Sequence, residues 1–258
     1  MLGAIAGDII GSIYEGTRAK TEDFELFSEK CRFTDDTILT IAVADCILHG
    51  KDYAKTFKEY ARKYPHRGYG GFFKMWAMSD SLKPYNSFGN GSAMRVSPVG
   101  FAFNTLEDVL LEAQKSAMVT HDHPIGILGA QACAAAIFLL KSGKSPEEVK
   151  QYFQDKFGMD FSRSLEEIFK SRHYDFSSLG TTKLAIIAFL ESDSFENAIR
   201  KAVRFGGDSD TLACITGAIA QAHYKKIPGE IVQKTLEYLP EEFITILDEF
   251  INKFSVKY

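Results

Sequence analysis

The stretch that decides the fold is RFGGDSDTLACITGAIAQA, residues 204–222. Behind its acidic head, nearly every side chain is small and apolar, whichever side of a helix it would face. A helix of this kind belongs at the centre of a bundle, because small side chains let neighbouring helices approach closely. The sequence predicts three such inner helices, at 2–13, 125–140 and 211–222.

Further helices are indicated by N-capping residues in front of amphipathic runs. Thr105, Ser145 and either Asp193 or Ser194 stand at such positions. Strand signals are weak, because no segment sustains an alternation of polar and apolar residues. We therefore predict an all-α fold, a single compact orthogonal bundle of ten or more helices that forms one domain over residues 1–258.

Two similar acidic heads open apolar runs. FTDDTILTIAVADCIL (33–48) carries the first head, and GGDSDT (206–211) carries the second. One acid suffices to cap a helix, whereas a second carboxylate adds repulsion that a cation would offset. Carboxylate and hydroxyl oxygens suit Mg²⁺ or Mn²⁺ and fit zinc poorly. We predict that the heads meet at the centre of the bundle and hold two metal ions through six ligands: Thr34, Asp35, Asp36, Asp208, Asp210 and Thr211.

Three other features carry candidate chemistry. The glycine-interrupted loop SFGNGSAMR (87–95) suits either a phosphate cradle or an ordinary turn. His121 and His123 lack a third zinc ligand nearby, so a helix cap or a hydrogen bond to a substrate is expected. Glu15 has the composition of an ordinary acid at a helix end.

Composition excludes several classes of protein. With 30 basic and 34 acidic residues, the net charge of −4 gives no electrostatic footprint for nucleic acid or an anionic membrane. The four cysteines lack paired spacing, which indicates free thiols in a reducing compartment. The N-terminal segment is a poor signal peptide, and the longest apolar run is short for a membrane span. A soluble cytoplasmic protein is expected.

Some polar and aromatic residues are expected to be structural. Asp8 and Asp45 lie inside apolar helices, so we expect each to accept hydrogen bonds rather than ligate a metal. Trp76 and its aromatic neighbours are expected in the core or in a pocket wall. The polar segment 17–30 is expected to be a mobile surface loop, in a position where it could cover the site.

Taken together, five segments resemble the ADP-ribosylglycohydrolase family, whose members remove ADP-ribose from modified proteins. They occur in the family's order and span most of the chain: GAIAGDIIGSIYE (3–15), FTDDT (33–37), FGNGSAMRVSP (88–98), THDHP (120–124) and FGGDSDTLACITGAIAQA (205–222). The resemblance implies an all-α fold with two central Mg²⁺ ions held by the six ligands named above.

The resemblance also implies roles that the residues alone do not reveal. Glu15 matches a glutamate beside the metals that is implicated in catalysis, and Asp36 is a second candidate for proton transfer. His121 matches a position near the substrate. The loop that would receive the diphosphate and ribose of ADP-ribose comprises Ser87, Phe88, Gly89, Asn90 and Gly91.

The implied reaction is hydrolysis of the bond between ADP-ribose and an acceptor, through a transition state with oxocarbenium character. The substrate would be an ADP-ribosylated protein or a small ADP-ribosylated molecule. Two alternatives remain open at this stage. One is a catalytically silent protein that binds ADP-ribose or a nucleotide, and the other is a metal-dependent nucleotide phosphohydrolase, which an oxygen-rich site would also serve.

Overall fold

The fold is all-α, as predicted. A computed structural model describes residues 1–171 and 174–258. Within these residues the one extended pairing is an isolated bridge between Gly89 and Ser177. The same residues form fifteen helices: α1 (Leu2–Gly11), α2 (Asp35–His49), α3 (Tyr53–Lys63), α4 (Gly71–Met78), α5 (Gly91–Met94), α6 (Ser97–Ala102), α7 (Leu106–Met118), α8 (Pro124–Lys141), α9 (Pro146–Phe157), α10 (Leu165–Ser171), α11 (Ser178–Leu190), α12 (Phe195–Phe205), α13 (Ser209–Tyr224), α14 (Gly229–Glu237) and α15 (Glu241–Phe254).

The three predicted inner helices are α1, α8 and α13, and each contributes to the buried core. Every residue of α1 is buried, and so is α13 from Ser209 to Ala222. Helix α1 ends at Gly11, two residues before the expected end. There the Ser12 hydroxyl donates to Ile9 O (2.8 Å), a local bond that competes with helix continuation. A fourth inner helix, α11, was not predicted, because polar residues interrupt its apolar run.

A row of glycines brings α1 against α13. A Cβ atom at Gly7 would lie 2.0 Å from Ala213 O, and one at Gly3 would lie 2.4 Å from Gly217 O. At the end of α1, a Cβ at Gly11 would lie 2.6 Å from the Cα of Asp210. Glycine therefore permits direct contact between the two backbones, which a larger residue would block. This contact fixes where the head of α13 lies relative to α1.

Local capping follows the sequence signals. The hydroxyls of Thr105, Ser145 and Ser194 each accept a hydrogen bond from a backbone amide three residues further on. Ser145 forms a full capping box with Glu148, in which the glutamate side chain returns a bond to the Ser145 amide. These helices therefore begin where their capping residues predict.

Helix α8 has the length and composition of a membrane span, with 18 residues and a mean hydropathy of 1.6. However, 56% of it is buried inside the protein, where it packs against α7, α11 and α13. Gly129 lets α11 approach, because a Cβ there would lie 2.2 Å from the Ser178 hydroxyl oxygen. In this fold α8 is thus a core helix, as its small residues predict.

Candidate active site

One cavity of about 340 Å³ collects most of the residues singled out in the sequence. The two acidic heads form one wall, and the glycine loop with His121 forms another. Eleven of the predicted site residues line the cavity: Glu15, Asp35, Asp36, Ser87, Gly89, Asn90, Gly91, His121, Asp208, Asp210 and Thr211. Thr34 and Phe88 do not line it, although both are adjacent in sequence to residues that do.

The first head, at the start of α2, is tightly held. The Thr34 hydroxyl accepts a hydrogen bond from the Asp36 amide (3.3 Å), which caps the helix. The same hydroxyl donates to Asp8 Oδ1 (2.7 Å) on α1. Asp36 is buried, and its Oδ2 accepts a hydrogen bond from the Thr211 hydroxyl (3.3 Å) of the second head. The two heads therefore meet, as predicted.

Asp8 is buried and accepts hydrogen bonds, as expected. Its two oxygens accept from the amide and hydroxyl of Thr34 and from the amide and hydroxyl of Thr37. Asp45, the other acid inside an apolar helix, also has partners, since it accepts from His49, Lys51 and Tyr60. Asp8 nevertheless lies beside the acidic heads, whereas Asp45 lies away from the cavity.

The second head, at the start of α13, is organised differently. Asp208 occupies the N-cap position but accepts no capping hydrogen bond from its own helix. Its Oδ2 instead accepts from the Asn90 side-chain amide (2.7 Å), which belongs to the glycine loop. Asp210 is buried, and its Oδ1 lies 3.1 Å from the amide of Thr211. The second head thus connects the acidic wall to the loop wall.

The clustered carboxylates raise one another's pKa values. Burial, followed by the charge of Asp8, raises the pKa of Asp35 and of Asp36 well above the ordinary value. Burial and the charges of Asp8 and Asp208 raise the pKa of Asp210 to about 9. Burial is the main cause of each shift and the neighbouring charges add to it, so ionised carboxylates in this cluster are unfavourable without a compensating cation.

The residues present fit a metal ion. Asp8, Asp36 and Asp210 each place one oxygen within 4.8 Å of the others, so these three carboxylates could hold a cation. Asp36 Oδ1 is buried and forms no hydrogen bond within the described residues. A buried carboxylate oxygen without a donor is costly, and a cation would satisfy it. The donors are all hard oxygens, the type that Mg²⁺ and Mn²⁺ prefer.

The backbone of the loop wall is anchored to α11 and to the turn between α7 and α8. Ser178 N donates to Phe88 O (2.9 Å), and Ser87 N donates to Thr120 O (3.3 Å). Gly126 lets the loop lie directly on α8, because a Cβ there would be 2.7 Å from Ser87 O. These contacts come from segments far apart in sequence. They hold Gly89, Asn90 and Gly91 at the cavity on a supported backbone.

The two neighbouring histidines have separate positions. His123 caps α8, with its Nδ1 accepting from the Ile125 amide (3.1 Å). His121 is buried in the cavity wall, and burial lowers its pKa well below the ordinary value, as does the charge of Arg95 to a smaller extent. Both effects favour the neutral imidazole of His121. The sequence left a helix cap and a substrate contact open for both histidines. In the structure His123 is the helix cap, and His121 lies at the cavity.

Two predicted residues lie where the sequence did not place them. Glu15 is exposed in the loop after α1, four residues beyond the last helical residue, and its side chain borders the cavity. Two backbone hydrogen bonds join this loop to Gly207, which directly precedes Asp208 of the second head. Gly16 N donates to Gly207 O (2.8 Å), and Gly207 N donates to Thr17 O (3.1 Å). The Phe88 ring is 57% exposed outside the cavity and packs against His123.

Sequence reasoning overlooked Tyr85, which lines the cavity with its ring stacked 6.3 Å from that of Phe72. Phe72 is 72% exposed but lines the cavity, while Trp76 and Phe73 are buried. These three aromatic residues therefore lie in the core or in a pocket wall, as expected. The helical spacing of Phe73 and Trp76, three residues apart, marks the buried face of α4. This spacing could have shown from the sequence which face of α4 is buried. Gly68 also lines the cavity, where a Cβ would lie 2.9 Å from Asp35 Oδ1.

Segment 17–30 is irregular, as expected, but it is attached to the body of the protein. Arg200 on α12 donates from Nη1 to the carbonyls of Glu22 and Phe24, both at 2.7 Å. Ala19 is buried in the core. That this segment covers the site stays a prediction.

Comparison with known proteins gives a consistent result. The chain matches the ADP-ribosylglycohydrolase family over residues 1–258. It is 28% identical to ADP-ribosylhydrolase ARH3 of Danio rerio, covering 87% of this chain and 81% of that protein. It is also 28% identical to ADP-ribosylhydrolase ARH3 of Homo sapiens, covering 87% and 84%. Among solved structures, an ADP-ribosylglycohydrolase-related protein complex shares the fold, with a TM-score of 0.72 and 23% identity over 98% of this chain and 97% of that one.

Proposed function

This chain belongs to the ADP-ribosylglycohydrolase family, and we propose that it is a metal-dependent hydrolase that cleaves the glycosidic bond between ADP-ribose and a modified protein side chain or another acceptor. The observation that carries the proposal is the unsatisfied, buried Asp36 Oδ1 in a carboxylate cluster that faces a glycine loop across one cavity. The carboxylate wall favours a cation, and the glycines of the loop wall let an anion approach the backbone closely. A phosphorylated sugar needs both kinds of wall.

The cofactor in this proposal is a pair of Mg²⁺ ions, for which Mn²⁺ could substitute. The ligands would be Thr34, Asp35, Asp36, Asp208, Asp210 and Thr211, with Asp8 fixing the orientation of the Thr34 hydroxyl through its 2.7 Å bond. When bound, such a pair of ions supplies Lewis-acid polarisation and orientation of sugar hydroxyls and of water.

The ADP-ribose unit is proposed to bind along the loop wall. Four loop residues line the cavity: Ser87, Gly89, Asn90 and Gly91. The His121 ring lies next to Gly91. The small side chains of the loop residues leave the backbone open to a diphosphate. The Phe88 ring is exposed beside this wall, where it is available to contact a part of the ligand that extends out of the cavity. Such positioning holds the anomeric carbon near the carboxylates.

Proton transfer is assigned to the carboxylates at the cavity, Glu15 or Asp36. One of them would accept the proton of the attacking water, and a proton would pass to the acceptor as its bond to the anomeric carbon breaks, roles that require hydrogen-bond reach to the reacting atoms. Glu15 borders the cavity and is exposed, so it meets a water that enters with the substrate. A Glu15→Gln variant is expected to bind ADP-ribose normally and to lose turnover, whereas full turnover would remove Glu15 from this role.

The direct test is incubation with arginine-linked and serine-linked ADP-ribosyl peptides, with Mg²⁺ or with a chelator, and identification of the products by mass. We expect release of intact ADP-ribose that stops with the chelator and in Asp36→Asn. Asp45→Asn is the matched control, because it alters an aspartate of the same helix away from the cavity. Release of AMP would replace the proposal with pyrophosphate cleavage, and binding without release from any acceptor would leave a silent binding protein.

Partners and compartment complete the proposal. The partner is an ADP-ribosylated protein or small molecule, and the location is the cytoplasm. The four cysteines support a reducing compartment, since all of them are free and buried.

A further inference from the structure

Arg95 is a buried cation with an unusual set of partners. Its side chain is fully buried, and no carboxylate lies within ion-pair distance of it among residues 1–171 and 174–258. Nη2 donates to Ser116 O and to the Thr120 hydroxyl, both at 2.9 Å, and the guanidinium carbon lies 4.5 Å from the centre of the Phe57 ring. A guanidinium can only donate hydrogen bonds, so the Thr120 oxygen acts as the acceptor in this contact.

The hydroxyl of Thr120, which contacts Arg95, also contacts His121. Its oxygen lies 2.8 Å from His121 Nδ1. Arg95 engages one of the two lone pairs of this oxygen, and Tyr85 also hydrogen-bonds to Thr120. When the Tyr85 hydroxyl donates to the second lone pair, the Thr120 hydrogen is left to point at Nδ1, which then acts as the acceptor. A proton on Nδ1 would instead require the Thr120 oxygen to accept from the imidazole as well as from Arg95, with its own hydrogen turned towards Tyr85.

The other ring nitrogen of His121, Nε2, lies on the ring edge beside Gly91, and both residues line the cavity. A Cβ atom at Gly91 would lie 3.3 Å from Nε2, so this edge of the ring borders the glycine loop that lines the cavity. Within the described part of the chain, Nε2 has no hydrogen-bond partner. A neutral imidazole whose Nδ1 accepts carries its proton on Nε2. The ring therefore presents a hydrogen-bond donor to whatever occupies this part of the cavity.

We propose that Arg95 and Thr120 are positioning residues, which fix His121 as the neutral Nε2–H tautomer and so direct a hydrogen-bond donor at an acceptor oxygen of the bound ligand. This inference rests on the proposed function only for the identity of that ligand, an ADP-ribose unit with phosphate and hydroxyl oxygens. The tautomer itself is a property of the ligand-free protein. Arg95 and Thr120 do not contact the ligand in this proposal. They act through the orientation of the His121 ring.

The tautomer is tested first, in the ligand-free protein, by ¹⁵N–¹H correlation spectra of the histidine rings. The chain has six histidines, so a His121→Gln spectrum identifies the resonances of this ring. We expect Nδ1 of His121 to be unprotonated and Nε2 to be protonated. In Thr120→Val, which keeps the shape and removes the hydroxyl, a mixture of the two tautomers is expected, and Thr120→Ser should restore the wild-type spectrum. A proton on Nδ1 in the wild type, or an unchanged Thr120→Val spectrum, would overturn the proposal.

The consequence for the ligand is tested by titration with ADP-ribose. Loss of one oriented hydrogen bond should weaken binding roughly fivefold to tenfold in Thr120→Val and leave Thr120→Ser close to wild type. Equal affinity of wild type and Thr120→Val would contradict a positioning role. If wild type binds no ADP-ribose, the proposed function fails, and the spectra still decide the tautomer. Folding of each variant is checked by its urea midpoint, because all three residues are buried.

Discussion

The two acidic heads contain the same residue types, a threonine and two aspartates, but the fold holds them in different ways. At the start of α2, Thr34 caps its own helix and donates to Asp8, so this head is bound to α1. At the start of α13, Asp208 leaves its own helix uncapped and accepts from Asn90 on the facing loop. The first head is a fixed part of the core, while the second joins the core to the loop wall of the cavity.

The difference shows that similar motifs need not contribute equally. Changes around the first head should affect the stability of the protein, because they leave buried donors without an acceptor. Changes to the contact between Asp208 and Asn90 should affect ligand binding, because Asp208 is only partly buried and Asn90 belongs to the loop. Four experiments probe this division, beginning with a property that both heads share.

The largest expected effect is a dependence of metal-free stability on pH. The folded protein raises the pKa of Asp36 in the first head well above 3.8 and that of Asp210 in the second to about 9. The native state therefore holds protons that the unfolded chain has released, so stability should fall as pH rises from about 4 towards 9. The slope is about 1.4 kcal/mol per pH unit for each such group.

This dependence is measured by urea unfolding with a chelator at a series of pH values. Addition of Mg²⁺ should flatten the curve, and Asp210→Asn should flatten it in the metal-free protein. Asp45→Asn should leave the slope between pH 5 and 9 unchanged, because its hydrogen-bonding partners lower the pKa of Asp45. A chelated wild type that is equally stable at pH 5 and pH 8 would contradict the expectation.

The next effect should come from Asp8→Asn. The amide group would face donors of Thr34 and Thr37 with one of its two acceptors replaced by a donor. We expect the free energy of unfolding to fall by about 3 kcal/mol, with Mg²⁺ affinity lowered at least tenfold through the loss of Thr34 orientation.

Urea unfolding and calorimetric titration with Mg²⁺ measure the two quantities separately. Asp45→Asn should also lower stability but keep the Mg²⁺ affinity, because its partners His49, Lys51 and Tyr60 lie away from the cavity. Wild-type metal affinity in Asp8→Asn would show that the first head does not depend on α1.

A somewhat smaller effect is expected from Gly7→Ala. The new Cβ would lie 2.0 Å from Ala213 O, so α1 and α13 must move apart, and stability should fall by about 2 kcal/mol. Because the shift separates the two heads, Mg²⁺ binding should weaken as well. Gly229→Ala is the control, since a Cβ there meets nothing within 4 Å. If Gly7→Ala unfolds at the same urea concentration as Gly229→Ala, the close contact does not hold the heads together.

The smallest effect should come from Asn90→Ala. It removes the 2.7 Å bond to Asp208, whose oxygens would still be available to a cation. We expect ADP-ribose to bind about tenfold more weakly, with little change in the free energy of unfolding. Isothermal titration and a urea curve of the same preparation provide both values. A large loss of stability with unchanged binding would reverse the roles assigned to the two heads.

The sequence predicted those parts of the structure that depend on neighbours along the chain. Ser145 and Ser194 marked helix starts, because a capping hydroxyl binds an amide within its own first turn. The meeting of the heads also followed from sequence, because small residues on every side of 2–13 and 211–222 indicated central helices.

The rest depended on contacts that have no local pattern. Arg95 and His121 are 26 positions apart, and their link through Thr120 exists only because α5 and α7 pack together. Glu15 carries no signal of its own, and only the family resemblance identified it. The direction of a side chain within a loop is also hard to predict from sequence. The position of Phe88 in the loop did not reveal that its ring points away from the cavity.

The close contact between α1 and α13 also bears on how the protein is made. Gly3 and Gly217, which touch across it, are 214 positions apart in the chain. At a synthesis rate of about 5–20 residues per second, the first helix waits roughly 10 to 40 seconds for its partner. Throughout that interval an almost wholly apolar segment lacks the surface that will cover it. The cavity between the two acidic heads is thus completed only after α13 has been synthesised, and until then α1 is an apolar segment suited to shielding by a ribosome-associated chaperone.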